Sequence, residues 1–166
     1  MDTQRSEAEP FRLLIVCTGN TCRSPMAEVI ARQKVSELGW AHVEVGSAGV
    51  GAFQGSPASG GAVRAAAVSG LDLSTHQSTQ LTSSAVASSD LILTMSSTHL
   101  VRVQELGGDG RADVITSFAA EGDQRAATMG VPDPIGGPYE EYLATFHVLD
   151  DLITKSLERI RPVLTS

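Results

Sequence analysis

Aromatic side chains are scarce in this chain: four Phe, two Tyr and one Trp, 4% of 166 residues. The core must therefore be aliphatic, and 42% hydrophobic residues supply enough for one domain of ordinary size. Cysteine is equally sparse. Cys17 and Cys22, five positions apart, exclude a disulfide scaffold and fit a reducing cytoplasm. Basic residues are outnumbered, with 12 Lys and Arg against 19 Asp and Glu. The resulting net charge of −7 argues against nucleic acid or an anionic membrane as partner. No apolar run approaches membrane-spanning length. Residues 1–10 lack the apolar segment of a signal peptide and read as a disordered lead-in to one domain over 11–166. His42, His76, His99 and His147 stand at no metal-ligand spacing, so no metal is expected.

Against this background one stretch carries chemistry, Val16-Cys17-Thr18-Gly19-Asn20-Thr21-Cys22-Arg23-Ser24-Pro25. The apolar run Leu13 to Val16 before it suits a buried strand. The segment from Met26 to Lys34 after it reads as a helix, with Ser24 at the N-cap and Pro25 at the first helical position. A strand, a tight polar loop and a helix N-terminus make an anion site, because loop amides and unpaired helix N–H groups converge on one spot. Cys17 opens the loop and Arg23 closes it, with five residues between them. If the loop curls round an oxyanion, the sulfur lies beneath it and the guanidinium forks two of its oxygens. The same donors would favour a thiolate, a nucleophile suited to attack on phosphorus.

Further along, the segment from His42 to Ala48 reads as a second strand, with Gly39 closing the helix before it. The glycines at 49, 51 and 55 follow G-x-G-x-x-x-G, and Ser56-Pro57 stands where a dinucleotide-binding helix would open. A loop is the better reading. Helices are expected from Pro57 to Val68, after Thr82 and after Ser96 or Ser97. Strands are expected over Leu91 to Met95 and over Asp113 to Thr116. Phe118 to Met129 reads as an extended surface loop. The apolar spacing of Tyr142, Phe146, Leu149, Ile153, Leu157 and Ile160 marks a long C-terminal helix. Alternating strands and helices imply an α/β single-domain three-layer sandwich, a four-stranded parallel sheet flanked by helices. Its ligands should sit beyond the carboxyl ends of the strands, where Cys17 already lies.

The string C-T-G-N-T-C-R-S-P-M-A-E resembles the low-molecular-weight cysteine phosphatase family, which includes tyrosine phosphatases, protein-arginine phosphatases and related arsenate reductases. The resemblance implies a phosphocysteine intermediate on Cys17. The phosphate would be held by Thr18, Gly19, Asn20, Thr21, Cys22, Arg23 and Ser24, with no cofactor. Asp133, stiffened by Pro132 and Pro134, could be an ordinary turn residue or an acid held over the pocket. The resemblance assigns it the acid role, since these enzymes carry an Asp-Pro acid before the last helix. It also makes Phe53 a wall of the pocket.

Within the family, phosphotyrosine enzymes usually carry a bulky aliphatic residue where this chain has Thr21, and aromatic rings directly after Asp-Pro. Here Ile135-Gly136-Gly137 follows. Both departures resemble the protein-arginine phosphatases, so a monomeric cytoplasmic enzyme acting on phosphoarginine in proteins is expected. The alternatives are a tyrosine phosphatase, an arsenate reductase, disfavoured because Cys22 is the sole second thiol, and a non-catalytic phosphopeptide binder, disfavoured by Asp133. Cys22 is either a small residue that fits the loop or a resolving thiol that traps oxidised Cys17 as a disulfide.

Overall fold

A computed structural model describes residues 9–121, 123, 125 and 129–165, except the side chains of 163 and 165. Strand β1, Phe11–Cys17, is followed by helix α1, Arg23–Glu37, and by β2, Val43–Gly49. Helices α2, Gly60–Val68, and α3, Ser83–Ser88, lead to β3, Leu91–Thr94. Helix α4, Ser97–Val103, runs into a wider turn at Gln104–Gly108. Strand β4, Ala112–Val114, then leads directly into α5, Ile115–Ala119, and α6, Tyr139–Thr165, closes the fold. The strands form one parallel sheet in the order β2-β1-β3-β4, as the alternation of strands and helices requires.

The apolar run in β1 is nearly continuous because both faces of this strand are covered. Leu13, Ile15 and Cys17 face the larger core, where Met26 and Ile30 of α1 meet Phe146, Leu149 and Ile153 of α6. Leu14 and Val16 point the other way, onto a smaller core with Val86 and Val103 from α3 and α4. Period-2 alternation along one strand thus builds the three layers. Apart from Tyr142, Phe146, Phe11 and Trp40, the buried core residues are aliphatic or sulfur-containing.

Four expected boundaries move, each for a physical reason. Helix α1 begins at Arg23 with Cys22 in the cap position, so Ser24 is not the N-cap; its hydroxyl is occupied elsewhere. Helix α2 starts at Gly60, three residues beyond Pro57, because Ser59 N and Oγ are tied to the carbonyl of Thr21. Strand β4 stops at Val114. Its neighbour β3 ends at Thr94, so Ile115 has no partner strand and turns instead into the core beneath α6. Phe118, expected in a loop, therefore lies in α5. Part of that loop and residues 1–8 of the lead-in lie outside the described residues.

The sheet brings β1 and β2 so close at their carboxyl ends that residue 49 has no room for a side chain. A Cβ at Gly49 would run into the Thr18 carbonyl oxygen and come within 2.9 Å of the Asn20 nitrogen, both rigid loop backbone. Overpacking of this kind costs about 1–3 kcal/mol, and for a chain this long each kcal/mol is worth about 2–4 °C in Tm. Gly49→Ala is expected to lower Tm by at least about 2 °C and to weaken inorganic phosphate binding. Thermal melts with and without phosphate check both, and an unchanged melt would show that the loop yields.

Candidate active site

Cys17 is the last residue of β1 and is 2% exposed. Beyond it the chain reverses through Thr18 to Thr21 to enter α1. The reversal passes through Asn20 at φ 56°, in the left-handed region that Asn tolerates better than most residues. Asn20 is fully buried, and both ends of its side-chain amide and its carbonyl have partners. Its amide nitrogen donates to Ser24 Oγ at 2.8 Å and Ser47 Oγ at 2.9 Å, and its Oδ1 accepts from Thr79 N at 2.8 Å. Its carbonyl lies 2.7 Å from His76 Nε2; a carbonyl only accepts, so Nε2 carries the proton.

Ser24 Oγ stands 2.8 Å from Cys17 Sγ. Because that hydroxyl already accepts from Asn20, its own proton is free to point at the sulfur, which suits Cys17 as the acceptor. Cys22 Sγ has its own polar surroundings: Ser59 Oγ at 3.1 Å, Thr21 Oγ1 at 3.8 Å and Tyr142 Oη at 3.9 Å. Burial raises the Tyr142 phenol above its ordinary pKa. Both cysteines are free thiols.

Arg23 is 6% exposed, and its head group is held from three sides. Nη1 donates to the Val131 carbonyl at 2.8 Å, while Nη2 faces Thr18 Oγ1 at 3.3 Å and Asp133 Oδ2 at 3.4 Å. The Asp133 side chain is 36% exposed, so water weakens this ion pair, and its worth lies in aiming the carboxylate. Asp133 Oδ1 accepts from Ile135 N at 3.1 Å, and Val131 N donates to Met95 O at 2.8 Å, which anchors the loop to the end of β3. The sheet's carboxyl edge thus collects Cys17, residues 18–24 and Asp133 in one place. Phe53 does not close over it; that side chain is 84% exposed.

Two histidines that spacing alone could not place belong to this neighbourhood. His76 holds the Asn20 carbonyl from behind the loop, beside a cavity of about 340 Å³ that Glu28, Arg32 and Ser47 also line. Ser47 donates to Glu28 Oε1, and Glu28 pairs with Arg32 at 2.7 Å. His99, 4% exposed near the start of α4, places Nε2 2.8 Å from Thr18 Oγ1 and Nδ1 3.0 Å from Ser96 Oγ. Ser96 takes the N-cap position of α4, one of the two expected, but its hydroxyl meets His99 and Thr98 Oγ1 at 2.8 Å rather than a backbone N–H of the helix. One signal could have found His99: it lies just past the carboxyl end of β3, on the edge where such sheets bind ligands. Among the described residues no group of three or more His, Cys, Asp or Glu could hold a metal ion, and no helix is long and apolar enough to cross a membrane.

A buried thiol with a serine hydroxyl at its sulfur, an arginine at the end of the loop and a carboxylate paired with that arginine share the carboxyl edge of a parallel sheet. Over residues 12–163 the chain matches the model for low molecular weight phosphotyrosine protein phosphatases, and it belongs to that family. It is 36% identical to a protein-arginine-phosphatase of Geobacillus stearothermophilus over 154 residues, 92% of this chain and 97% of that protein. It is 45% identical to the probable low molecular weight protein-tyrosine-phosphatase EpsP of Ralstonia nicotianae over 92 residues, 55% of this chain and about 60% of that relative's length. The solved YwlE arginine phosphatase from Geobacillus stearothermophilus superposes with a TM-score of 0.82 at 33% identity, covering 93% of this chain and 95% of that one.

Burial, reinforced by the Arg23 charge and opposed by Asp133, lowers the His99 pKa from 6.5 to about 4. Between those values the unfolded chain binds a proton that the folded protein refuses, so stability falls as pH drops through that window and is recovered above 6.5. Melts from pH 7.5 to 4.5 should show a steeper loss for the parent than for His99→Gln. Parallel curves would mean that the burial of His99 does not govern this slope.

Proposed function

We propose that this chain is a protein-arginine phosphatase that removes phosphate from phosphoarginine in proteins through a phosphocysteine on Cys17. Its family makes it a cysteine-dependent phosphatase; the substrate class is what the proposal adds. In the first step Cys17 Sγ attacks phosphorus in line and the P–N bond breaks. Residues 18–24 and the Arg23 guanidinium hold the equatorial oxygens, and Asp133 gives its proton to the departing guanidino nitrogen. In the second step a water loses its proton to Asp133 and attacks phosphorus, and the S–P bond breaks to release phosphate and the thiolate. Ser24 Oγ, 2.8 Å from the sulfur, supports the thiolate at both ends of the cycle.

The observation that carries the substrate class is Thr21. It is half-buried on the loop, with its carbonyl fixed by Ser59 N at 2.9 Å and Ser59 Oγ at 3.3 Å. A hydroxyl at that position can help place a polar guanidino group, whereas a branched aliphatic side chain would fill the space and offer no hydrogen bond. Gly136 and Gly137 support the same reading, because no aromatic ring directly follows Asp133-Pro134 to sandwich a phenol. The alignment with an arginine phosphatase over almost its full length adds support. The second reading, phosphotyrosine, is favoured by the likeness to EpsP. We further propose that the enzyme works as a cytoplasmic monomer.

Hydrolysis of matched phosphoarginine and phosphotyrosine peptides tests the proposal; equal or faster turnover of phosphotyrosine would sink it. Thr21→Ile should shift the preference toward phosphotyrosine by about tenfold, within the range that a methylene-scale pocket change commands. Cys17→Ser should remove turnover, and Asp133→Asn should lower it by about 10²–10⁴.

Cys22 is proposed as the resolving thiol. Peroxide would oxidise Cys17 to the sulfenic acid, and the Cys22 thiol would displace water from it to form a disulfide that an external thiol reduces. Peroxide-treated enzyme should recover with dithiothreitol, and Cys22→Ser should recover far less. Equal recovery would assign Cys22 a packing role.

A further inference from the structure

We propose that His99 is a positioning residue for the phosphoryl-transfer site, in which its unprotonated Nε2 takes the Thr18 hydroxyl proton and so turns a Thr18 lone pair toward Arg23. The inference rests on the catalytic reading above for its kinetic consequences, but its geometric part is independent of turnover.

The argument is an accounting of protons. Arg23 Nη2 only donates, so Thr18 Oγ1 accepts from it at 3.3 Å. The single proton of Thr18 then has one acceptor within reach, His99 Nε2 at 2.8 Å. If Nε2 accepts, the neutral ring carries its proton on Nδ1 and donates to Ser96 Oγ at 3.0 Å, and Ser96 donates on to Thr98 Oγ1 at 2.8 Å. From Arg23 through Thr18, His99 and Ser96 to Thr98 the direction is then the same throughout: Thr18, His99 and Ser96 each accept from the group before and donate to the one after. A protonated ring breaks this order. Both nitrogens would donate, Thr18 Oγ1 would face two donors with its own proton unplaced, and a second cation would stand near Arg23. Burial and the Arg23 charge keep the ring neutral at ordinary pH, with Asp133 the one nearby group that pulls the other way.

The consequence falls on Arg23. Its Nη1 is tied to the backbone at Val131, but Nη2 has as partners the exposed Thr18 and the partly exposed Asp133. Asp133 has proton transfer to perform, and its carboxylate cannot serve as a fixed anchor through the cycle. Thr18, oriented by a 4% exposed ring, can. His99 therefore reaches the reacting phosphate through two other residues and touches none of its atoms.

Five proteins test this: the parent, His99→Leu, His99→Gln, Thr18→Val and the double variant Thr18→Val/His99→Leu. The substrate is p-nitrophenyl phosphate and folding is checked by melts. Leu keeps approximate volume and removes the acceptor, while Gln can present Oε1 near the Nε2 position. His99→Leu and Thr18→Val should each lower kcat about tenfold, the scale of one lost hydrogen bond at the transition state. KM should change less than kcat. The double variant should be no worse than the poorer single one, because both act on one contact, and His99→Gln should stay within about threefold of the parent. Additive losses, an active His99→Leu, or a His99→Gln as poor as His99→Leu with an unchanged melt would overturn the proposal. If the parent itself shows no turnover, the catalytic reading fails, and ¹⁵N NMR of the imidazole still decides the geometric part. An unprotonated Nε2 at pH 7 upholds it, and a protonated one overturns it.

Discussion

The site depends on one residue being held in a backbone conformation it would not choose alone. Asn20 sits at φ 56° because its amide and backbone meet four separate partners: Ser24, Ser47, Thr79 and His76. These come from α1, from β2 and from the segment after Asp72, so the loop is pinned from three directions. Each such hydrogen bond is worth only about 1 kcal/mol net. A left-handed non-glycine residue costs about as much or more, so no single partner suffices and the set has to act together. What the pinning achieves is curvature. With Asn20 turned, the chain reverses between Cys17 and α1, and an anion cradle of the kind proposed would need this curvature.

The sheet supplies the second constraint. Cys17 pairs in register with Gly49, and that glycine gives up its side chain so that β2 can approach the loop at Thr18 and Asn20. The large core under α6 then holds the other wall. Tyr142 packs in that core with its hydroxyl at Cys22, and Gly61 is bare because a Cβ there would enter the Tyr142 ring. The loop that carries Asp133 is tied in at the backbone of Val131, whose N donates to Met95 O and whose carbonyl accepts from Arg23 Nη1. An arginine in the phosphate loop therefore also fixes the height of Asp133. A change at either end of this tie is felt at the other, which is why charge and acid cannot be treated as separate parts.

Much of this was open to reading from the chain itself, because the phosphate loop is local. Strand, loop and helix are contiguous, so Cys17, Arg23 and the anion-binding character follow from about ten consecutive residues. The long apolar stripe from Tyr142 to Ile160 was legible for the same reason, as was the parallel sheet, which follows from strict alternation of elements. Asp133 needed the family resemblance, since an Asp-Pro turn is common and its distance from Cys17 is a tertiary fact. The boundaries of α1, α2 and β4 moved where a tertiary contact overrode a local preference. Ser24 gives its hydroxyl to Cys17 rather than to a cap, Ser59 is claimed by Thr21, and Ile115 is drawn into the core. The contacts of His76 and His99 were not legible for a related reason, although the place of His99 just past β3 pointed to the edge it lies on. They lie 56 and 81 residues from the loop atoms they touch, and nothing in their neighbours' spacing records that.

A net charge of −7 does not oppose phosphate binding here, because the two act on different length scales. At physiological salt a surface carboxylate more than about 8 Å away is largely screened, whereas the buried Arg23 would act at contact. Glu28, the buried acid nearest the loop among those described, is offset by Arg32 at 2.7 Å and by the Ser47 hydroxyl. Asp133 pairs with Arg23 at 3.4 Å. In the proposed mechanism an arriving phosphate would compete for the same guanidinium, loosening that pair and freeing the carboxyl oxygen for the leaving group. On that proposal the ion pair of Arg23 and Asp133 is the contact that substrate would exchange for catalytic geometry.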